Sequence, residues 1–157
     1  MSQGPQTLDR AGIEALIPHR GDMCLLTKLE GWDAQRIHCS TTTHRDPANP
    51  LRTATGLLAP NAIEYAAQAM ALHGGLTASA GQAPSAGYLA SVRSVRFGAG
   101  RLDQVEGALQ VRATRLSGDE RQVLYEFDVT DTAGHSLAQG RAVVVLNTPL
   151  TSMEVSA

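Results

Sequence analysis

Asn61-Ala62-Ile63-Glu64-Tyr65-Ala66-Ala67-Gln68-Ala69-Met70-Ala71-Leu72-His73-Gly74-Gly75 runs from a residue that caps helices to a pair that ends them. Between those ends it holds only three polar side chains, Glu64, Gln68 and His73. The spacing predicts a helix over Ala62 to His73, with Asn61 as its N-cap and Gly74 and Gly75 as its stop. A helix that is apolar nearly all round is buried nearly all round, so the rest of the chain must enclose it.

Working outward, the residues that follow favour strand. Gly87 to Phe97, Ala108 to Leu116, Gln122 to Thr130 and Ser136 to Leu146 are separated by turn clusters at Gly98 to Gly100, Ser117 to Asp119 and Asp131 to Gly134. In the third, Val123, Tyr125, Phe127 and Val129 alternate with Leu124, Glu126, Asp128 and Thr130, which predicts one packed face and one mostly wet face. Val92 followed by Val95 and Phe97 breaks the period of two, so a bulge or a change of covered face is expected within the first of these strands. Before the helix, Cys24 to Trp32 and Arg36 to Thr43 read as two strands joined by a turn at Asp33, Ala34 and Gln35. Leu8 to Leu16 is a short helical candidate, ended by Ile17 and Pro18 because the residue before a proline is pushed out of the α region. Arg45 to Ala59 carries Asp46, Pro47, Asn49, Pro50 and Gly56 as breakers and reads as a long loop of the kind that is functional or mobile. Two strands, one buried helix and four strands with short connections define an α+β domain, a largely antiparallel sheet wrapped on one helix. The expected domain spans residues 8–147, with flexible termini at 1–7 and 148–157.

The chain of 157 residues is 43% hydrophobic and 18% charged, which fits one globular domain with enough core to need neither metal nor disulfide. Net charge is −2, and the 13 basic residues, all arginine except Lys28, are scattered, so no footprint for nucleic acid or anionic membrane exists. The longest stretch without a charge, Tyr65 to Val92, is too polar and too broken by glycine and proline to span a membrane. The N-terminus lacks a basic-then-apolar leader, and the expected compartment is the cytoplasm. Cys24 and Cys39 match no Cys-x-x-Cys spacing and are expected to be reduced and buried.

Chemistry concentrates on the central helix. Glu64 lies in its first turn, where a carboxylate is costly to bury unless it is paired, protonated or used. One reading is a rim carboxylate that favours the helix N-terminus; the other is an acid or base tuned by desolvation. Gln68 lies one turn later on the same face and is placed to orient Glu64, whereas His73 is on the opposite side. His44 stands where a strand runs out into the long loop, in reach of a helix N-terminus, or else is an ordinary surface residue. The five histidines show no metal-ligand spacing, and no metal site is expected. Serine-hydrolase elbows, phosphate loops and dinucleotide fingerprints are absent from the sequence.

Ile17-Pro18-His19-Arg20-Gly21-Asp22-Met23-Cys24-Leu25-Leu26, then Ile63-Glu64-Tyr65-Ala66-Ala67-Gln68-Ala69, then Tyr88 to Phe97, resemble in order three segments of the hotdog-fold 3-hydroxyacyl-[acyl carrier protein] dehydratases. Those segments are a Pro-His-Arg opening, a Glu-Ala-Met-Ala-Gln-Ala helix and a long strand. The likeness is strongest to a divergent branch of predicted dehydratases, including those found with aryl-polyene synthesis genes. It implies a hotdog fold pairing edge to edge as a homodimer, a higher oligomer or a pair of different hotdog chains. The implied activity is dehydration of 3-hydroxyacyl thioesters to trans-2-enoyl thioesters on acyl carrier protein or coenzyme A, in fatty-acid or polyene-type synthesis. The phosphopantetheine arm comes with the substrate, and no resident cofactor is implied. Glu64 and His44 take the places of the catalytic carboxylate and histidine, which the family contributes from different subunits. Gln68, Asn61, Tyr65 and His19 take substrate-side places, His19 as a structural or channel-lining residue. Arg93 and Arg96, with Arg101, face the acidic carrier or form a solvated strand edge. The family's His-Phe-Pro-Gly is replaced by His44-Arg45-Asp46-Pro47, set further from the carboxylate, and its Pro-Gly before the helix by Pro60-Asn61. An acyl thioesterase of the same fold, or a non-catalytic acyl-binding partner subunit, would share these features.

Overall fold

The computed structural model describes residues 6–78 and 87–146. Seven strands form one antiparallel sheet: β1 (Leu8–Asp9), β2 (Lys28–Trp32), β3 (Arg36–Thr41), β4 (Gly87–Phe97), β5 (Leu109–Gly118), β6 (Gln122–Thr130) and β7 (Ser136–Leu146), in the order β1-β2-β3-β5-β6-β7-β4. A short helix, α1 (Arg10–Glu14), precedes β2, and the long helix α2 (Ala62–Thr77) lies against β3 to β7. This is the hotdog arrangement, with β1 and β4 as its two open edges.

The wrap follows from side-chain size. Ala62, Ala66 and Ala69 let the sheet close on α2, while Tyr65, Met70 and Leu72 fill the space between them and Leu29, Ile37, Val111, Phe127 and Val129. In β6, Val123, Tyr125, Phe127 and Val129 are buried and Glu126 is exposed, as alternation requires. The expected bulge is in β4, where register shifts at Leu89/Ser91 and Arg93/Arg96 and Ser94 adopts φ +55°.

Several boundaries differ from the sequence reading. Asn61 stands at the N-cap position of α2 as expected but does not cap it with its side chain: it has helical φ and ψ at the end of a 3₁₀ turn, Ala59–Asn61, and its amide donates to the Leu58 carbonyl instead. A capping side chain needs an extended backbone, which a preceding 3₁₀ turn removes. Gly74 and Gly75 do not stop α2; a Cβ on Gly75 would lie 3.1 Å from the Leu16 carbonyl oxygen, so glycine there lets α2 run on across the end of α1. Cys24 to Thr27 precede β2 rather than belonging to it, and Leu8 and Asp9 pair with β2 before α1 begins. Both thiols are free and buried, and burial pushes Cys39 up to about 12. Asn147 and residues 148–157 of the expected C-terminal tail, and residues 1–5 of the N-terminal one, lie outside the described residues. No helix among the described residues is long and apolar enough to cross a membrane.

Candidate active site

The N-terminal half of α2 is positioned by two straps. The first is the loop from Thr43 to Leu58. Asp103, its carboxyl 4% exposed, accepts from the Leu57 N–H at 3.0 Å, from Arg101 Nη2 at 2.6 Å and Nε at 3.1 Å, and faces Arg52 at 3.6 Å. The Arg101 guanidinium holds that carboxyl far below the usual carboxylate range. Leu102 N–H bonds the Leu57 carbonyl and Ala59 N–H the Gly100 carbonyl, so residues 100–103 zip along 57–59 and set where α2 begins. Arg101 is therefore committed to Asp103 and is not a free cation for a carrier.

The second strap is the turn from Ile17 to Leu26. Gln68 reaches it from α2: its Oε1 accepts from the Leu25 N–H at 2.8 Å and its Nε2 donates to the Met23 carbonyl at 2.6 Å. Both ends of this buried amide are used, so Gln68 does not orient Glu64 or line a channel; it holds the strap. Replacing Gln68 by Ala orphans a buried donor and a buried acceptor, and denaturant unfolding at pH 7 is expected to show a loss of about 2–4 kcal/mol. A loss under 1 kcal/mol would mean that the strap stays docked without it.

Two further expectations are corrected by burial. His44 is fully enclosed in a 3₁₀ turn after β3, its Nε2 2.9 Å from the Val105 carbonyl and its Nδ1 without a hydrogen bond of ordinary geometry. Burial pushes its pKa down, opposed by the Val105 and Gly107 carbonyls. It faces protein on all sides, with the Val105 and Gly107 backbone of the segment before β5 against its ring. Tyr65 is likewise enclosed; its hydroxyl is 3.0 Å from Thr43 Oγ1 and accepts from Asn49 Nδ2 at 2.9 Å, which ties the loop to the helix.

Glu64 is different. It is exposed on the strip of α2 that the sheet leaves uncovered, with half-buried Ile63, Ala67 and Ala71 beside it. Its own chain therefore does not supply the desolvation expected for it. Met23, within the second strap and bonded through its carbonyl to Gln68, and Leu58, at the end of the first and bonded through its carbonyl to Asn61, are each 40% exposed. Exposed apolar side chains around one carboxylate mark a surface that something covers. His19 is half-buried in the second strap; burial is the main cause that pushes its pKa down, and the Glu64 charge opposes that. Asn61 is half-buried beside them with its amide on Leu58.

Arg93 and Arg96 are exposed on β4, the open edge. Arg93 is directly opposite Arg141 on β7, in a cleft of about 360 Å³ shared with Ser91, Ser117 and Gln122. Sequence reading missed this pairing, as it missed Asp103 and the bond between His73 and Tyr125, because each joins residues far apart along the chain.

A hotdog sheet with an exposed carboxylate in the first turn of its central helix is an architecture shared by dehydratases and thioesterases, and the family match makes this one a dehydratase, a hydro-lyase. The particular family is named by comparison: the model of the ApeP-like family, ApeP dehydratase, matches residues 11–154, and the chain belongs to that family. It is similar to a chain of the dehydratase heterocomplex ApeI:P from Xenorhabdus doucetiae, at 26% identity over 91% of this chain and 95% of that one, with a TM-score of 0.80. A mutant thioesterase from Pseudomonas aeruginosa shares the fold at 15% identity, 92% and 98% coverage and a TM-score of 0.64. So does AziG from S. sahachiroi, at 16% identity, 94% and 100% coverage and a TM-score of 0.59. No curated protein matches the chain.

Proposed function

We propose that this chain dehydrates 3-hydroxyacyl thioesters in polyene-type synthesis, with Glu64 as the acid. The C2 proton leaves to a base, its electron pair becomes the C2=C3 bond, the C3–O bond breaks, and Glu64 protonates the departing oxygen to give water. The N-terminal dipole of α2 favours negative charge developing on the thioester oxygen. The observation that carries this reading is Glu64 itself, exposed among apolar side chains at the uncovered end of α2 in a chain of the dehydratase family.

The site is completed by a second hotdog chain. The unpaired edge of β4 and the bare strip of α2 invite one, and the similar chain at 26% identity comes from a complex of two different chains. A partner there would cover Glu64, supply the desolvation its own chain lacks, and bring the base that the enclosed His44 is not placed to be. The test follows enoyl absorbance and free thiol together, for 3-hydroxyacyl and trans-2-enoyl thioesters, with the chain alone and with its hotdog partner. Interconversion without thiol release supports the reading; thiol release without enoyl product replaces it with a thioesterase.

Arg93 and Arg141 are directly opposite and repel, Glu126 on β6 meeting Arg141 only at 3.9 Å, and an acidic ligand relieves the remaining repulsion. We assign the Arg93 and Arg141 cleft to the acidic carrier. Arg93→Ala is expected to raise KM for the carrier-linked substrate about tenfold at low salt, to lose that effect at high salt, and to leave the coenzyme A substrate unchanged. An equal change for both substrates would remove the cleft from carrier recognition.

A further inference from the structure

The face of the sheet turned away from α2 is not uniformly polar. On it Leu124 of β6 lies directly opposite Val143 of β7; both are half-buried, and neither belongs to the core cluster around α2. Ser117 of β5 is opposite Leu124 and Ser91 of β4 is opposite Val143, so two serines flank an apolar pair in one row across four strands. The next row holds Arg141 opposite Arg93, and both rows line the cleft of about 360 Å³. Among the described residues that line it there is no carboxylate. A sheet face that meets only water alternates to polar side chains, whereas an apolar pair rimmed by cations marks a contact surface.

A third arginine shares this face because of the bulge in β4. Arg93 and Arg96 are three residues apart, and in a regular strand they would face opposite ways. Here Ser94 and Val95 together oppose Gly140, so that Arg93 meets Arg141 and Arg96 meets Gln139, two positions of β7 on one face. Ser94 adopts φ +55°, which residues other than glycine rarely do, and a Cβ on Gly140 would lie 3.1 Å from Val95 and from Phe127. Arg96 and Arg141 line a second cleft of about 310 Å³ beside the first, with Glu126 and Asp128 on its β6 side. Those carboxylates have partners of their own: Glu126 is 3.9 Å from Arg141, and Asp128 is opposite Arg112 and accepts from Ser136 Oγ at 3.0 Å. The three arginines therefore gather on β4 and β7, beside the apolar pair.

Resting on the carrier assignment of the Arg93 and Arg141 cleft, and not on the role of Glu64, we propose that this surface docks an amphipathic acidic segment of the carrier. Leu124 and Val143 take its apolar side chains, and Arg93, Arg96 and Arg141 take its carboxylates. Apolar and charged contacts in adjacent patches fix the orientation of the segment, which charge alone does not. A second copy of this chain does not suit the surface, because a two-fold contact through the same patch sets the arginines of one copy against those of the other.

The test is the binding of a holo acyl carrier protein that bears no acyl group, measured by isothermal titration at low and at high salt. Arg96→Ala is expected to raise Kd about three- to tenfold at low salt and to lose that effect at high salt. Leu124→Ser is expected to raise Kd about tenfold at both salts, since apolar contact is not screened. Arg93→Ala is the control for the carrier assignment. If the wild type does not bind, or if none of the three substitutions moves Kd, that assignment fails and the docking surface with it. If Arg93→Ala weakens binding while Arg96→Ala and Leu124→Ser do not, the cleft keeps its carrier and the amphipathic surface is overturned. A Leu124→Ser effect confined to low salt overturns the apolar contact. Light scattering of Leu124→Ser, alone and with the hotdog partner, is expected to show the wild-type mass; a lower mass would make another hotdog chain the occupant and overturn the proposal. None of these measurements requires turnover, so they stand apart from the outcome at Glu64.

Discussion

Replacing Glu64 by Gln is expected to lower kcat for elimination by about 10²- to 10⁴-fold, the range that one general acid supplies. The change keeps the shape of the side chain and removes only its ability to give up a proton. Because Glu64 is exposed and makes no hydrogen bond or ion pair among the described residues, the fold has little to lose. Its favourable place near the helix N-terminus contributes about 0.3–1 kcal/mol, so Tm should move by only a few degrees. Activity and stability thus separate at this position. A Glu64→Gln protein that turns over at the wild-type rate would place proton delivery elsewhere, and one that unfolds would return Glu64 to a purely structural role.

The second large effect is on acid stability. His44 and His73 are fully enclosed, and burial is the main cause that holds each below its ordinary value of 6.5. His73 is satisfied as a neutral ring, with Tyr125 Oη 2.7 Å from Nδ1 and Nε2 donating to the Asp33 carbonyl at 2.8 Å. For groups lowered on folding, the unfolded chain binds protons first as pH falls. Their stabilising effect is therefore complete above about pH 7 and erodes below 6.5, until the folded values are reached. Two such rings give a slope of up to about 2.7 kcal/mol per pH unit. Asp33, Asp119 and Asp131, held low chiefly by backbone N–H groups, and Asp103, held low by Arg101, lose their contribution at still lower pH. Urea unfolding between pH 7.5 and about 5 reads this slope. His73→Leu should cost about 2–4 kcal/mol at pH 7, by orphaning Tyr125 and Asp33, yet roughly halve the slope below pH 6.5. A slope unchanged by that substitution would assign the acid sensitivity to other groups.

How far the site could be read ahead of the coordinates differs from residue to residue. Glu64 stood out because a carboxylate in an apolar helix is an exception that local sequence makes visible. His44 looks equally suitable, since a strand end before a loop is often open; the segment that carries Val105, 61 residues further on, closes it. Gln68 and Tyr65 take substrate-side places by the resemblance alone. Their partners, Met23, Leu25, Thr43 and Asn49, are brought to them only by folding. His19, structural or channel-lining by the resemblance, sits in a turn whose shape is set by Arg10, Arg20 and Gln68, and Gln68 comes from far along the chain.

By itself, the sequence determined what periodicity and local sterics can carry. It set the single apolar helix, the span of β6 and β7, the bulge in β4 and the turn at Asp33, because each depends on neighbours within a few residues. Tertiary structure alone decided which polar groups are available for chemistry. Availability depends on whether each buried donor and acceptor has already found a partner, and those partners come from distant parts of the chain. The straps and connecting segments that enclose Tyr65, Gln68 and His44 leave Glu64 bare, on the part of the helix circumference that neither they nor the sheet covers.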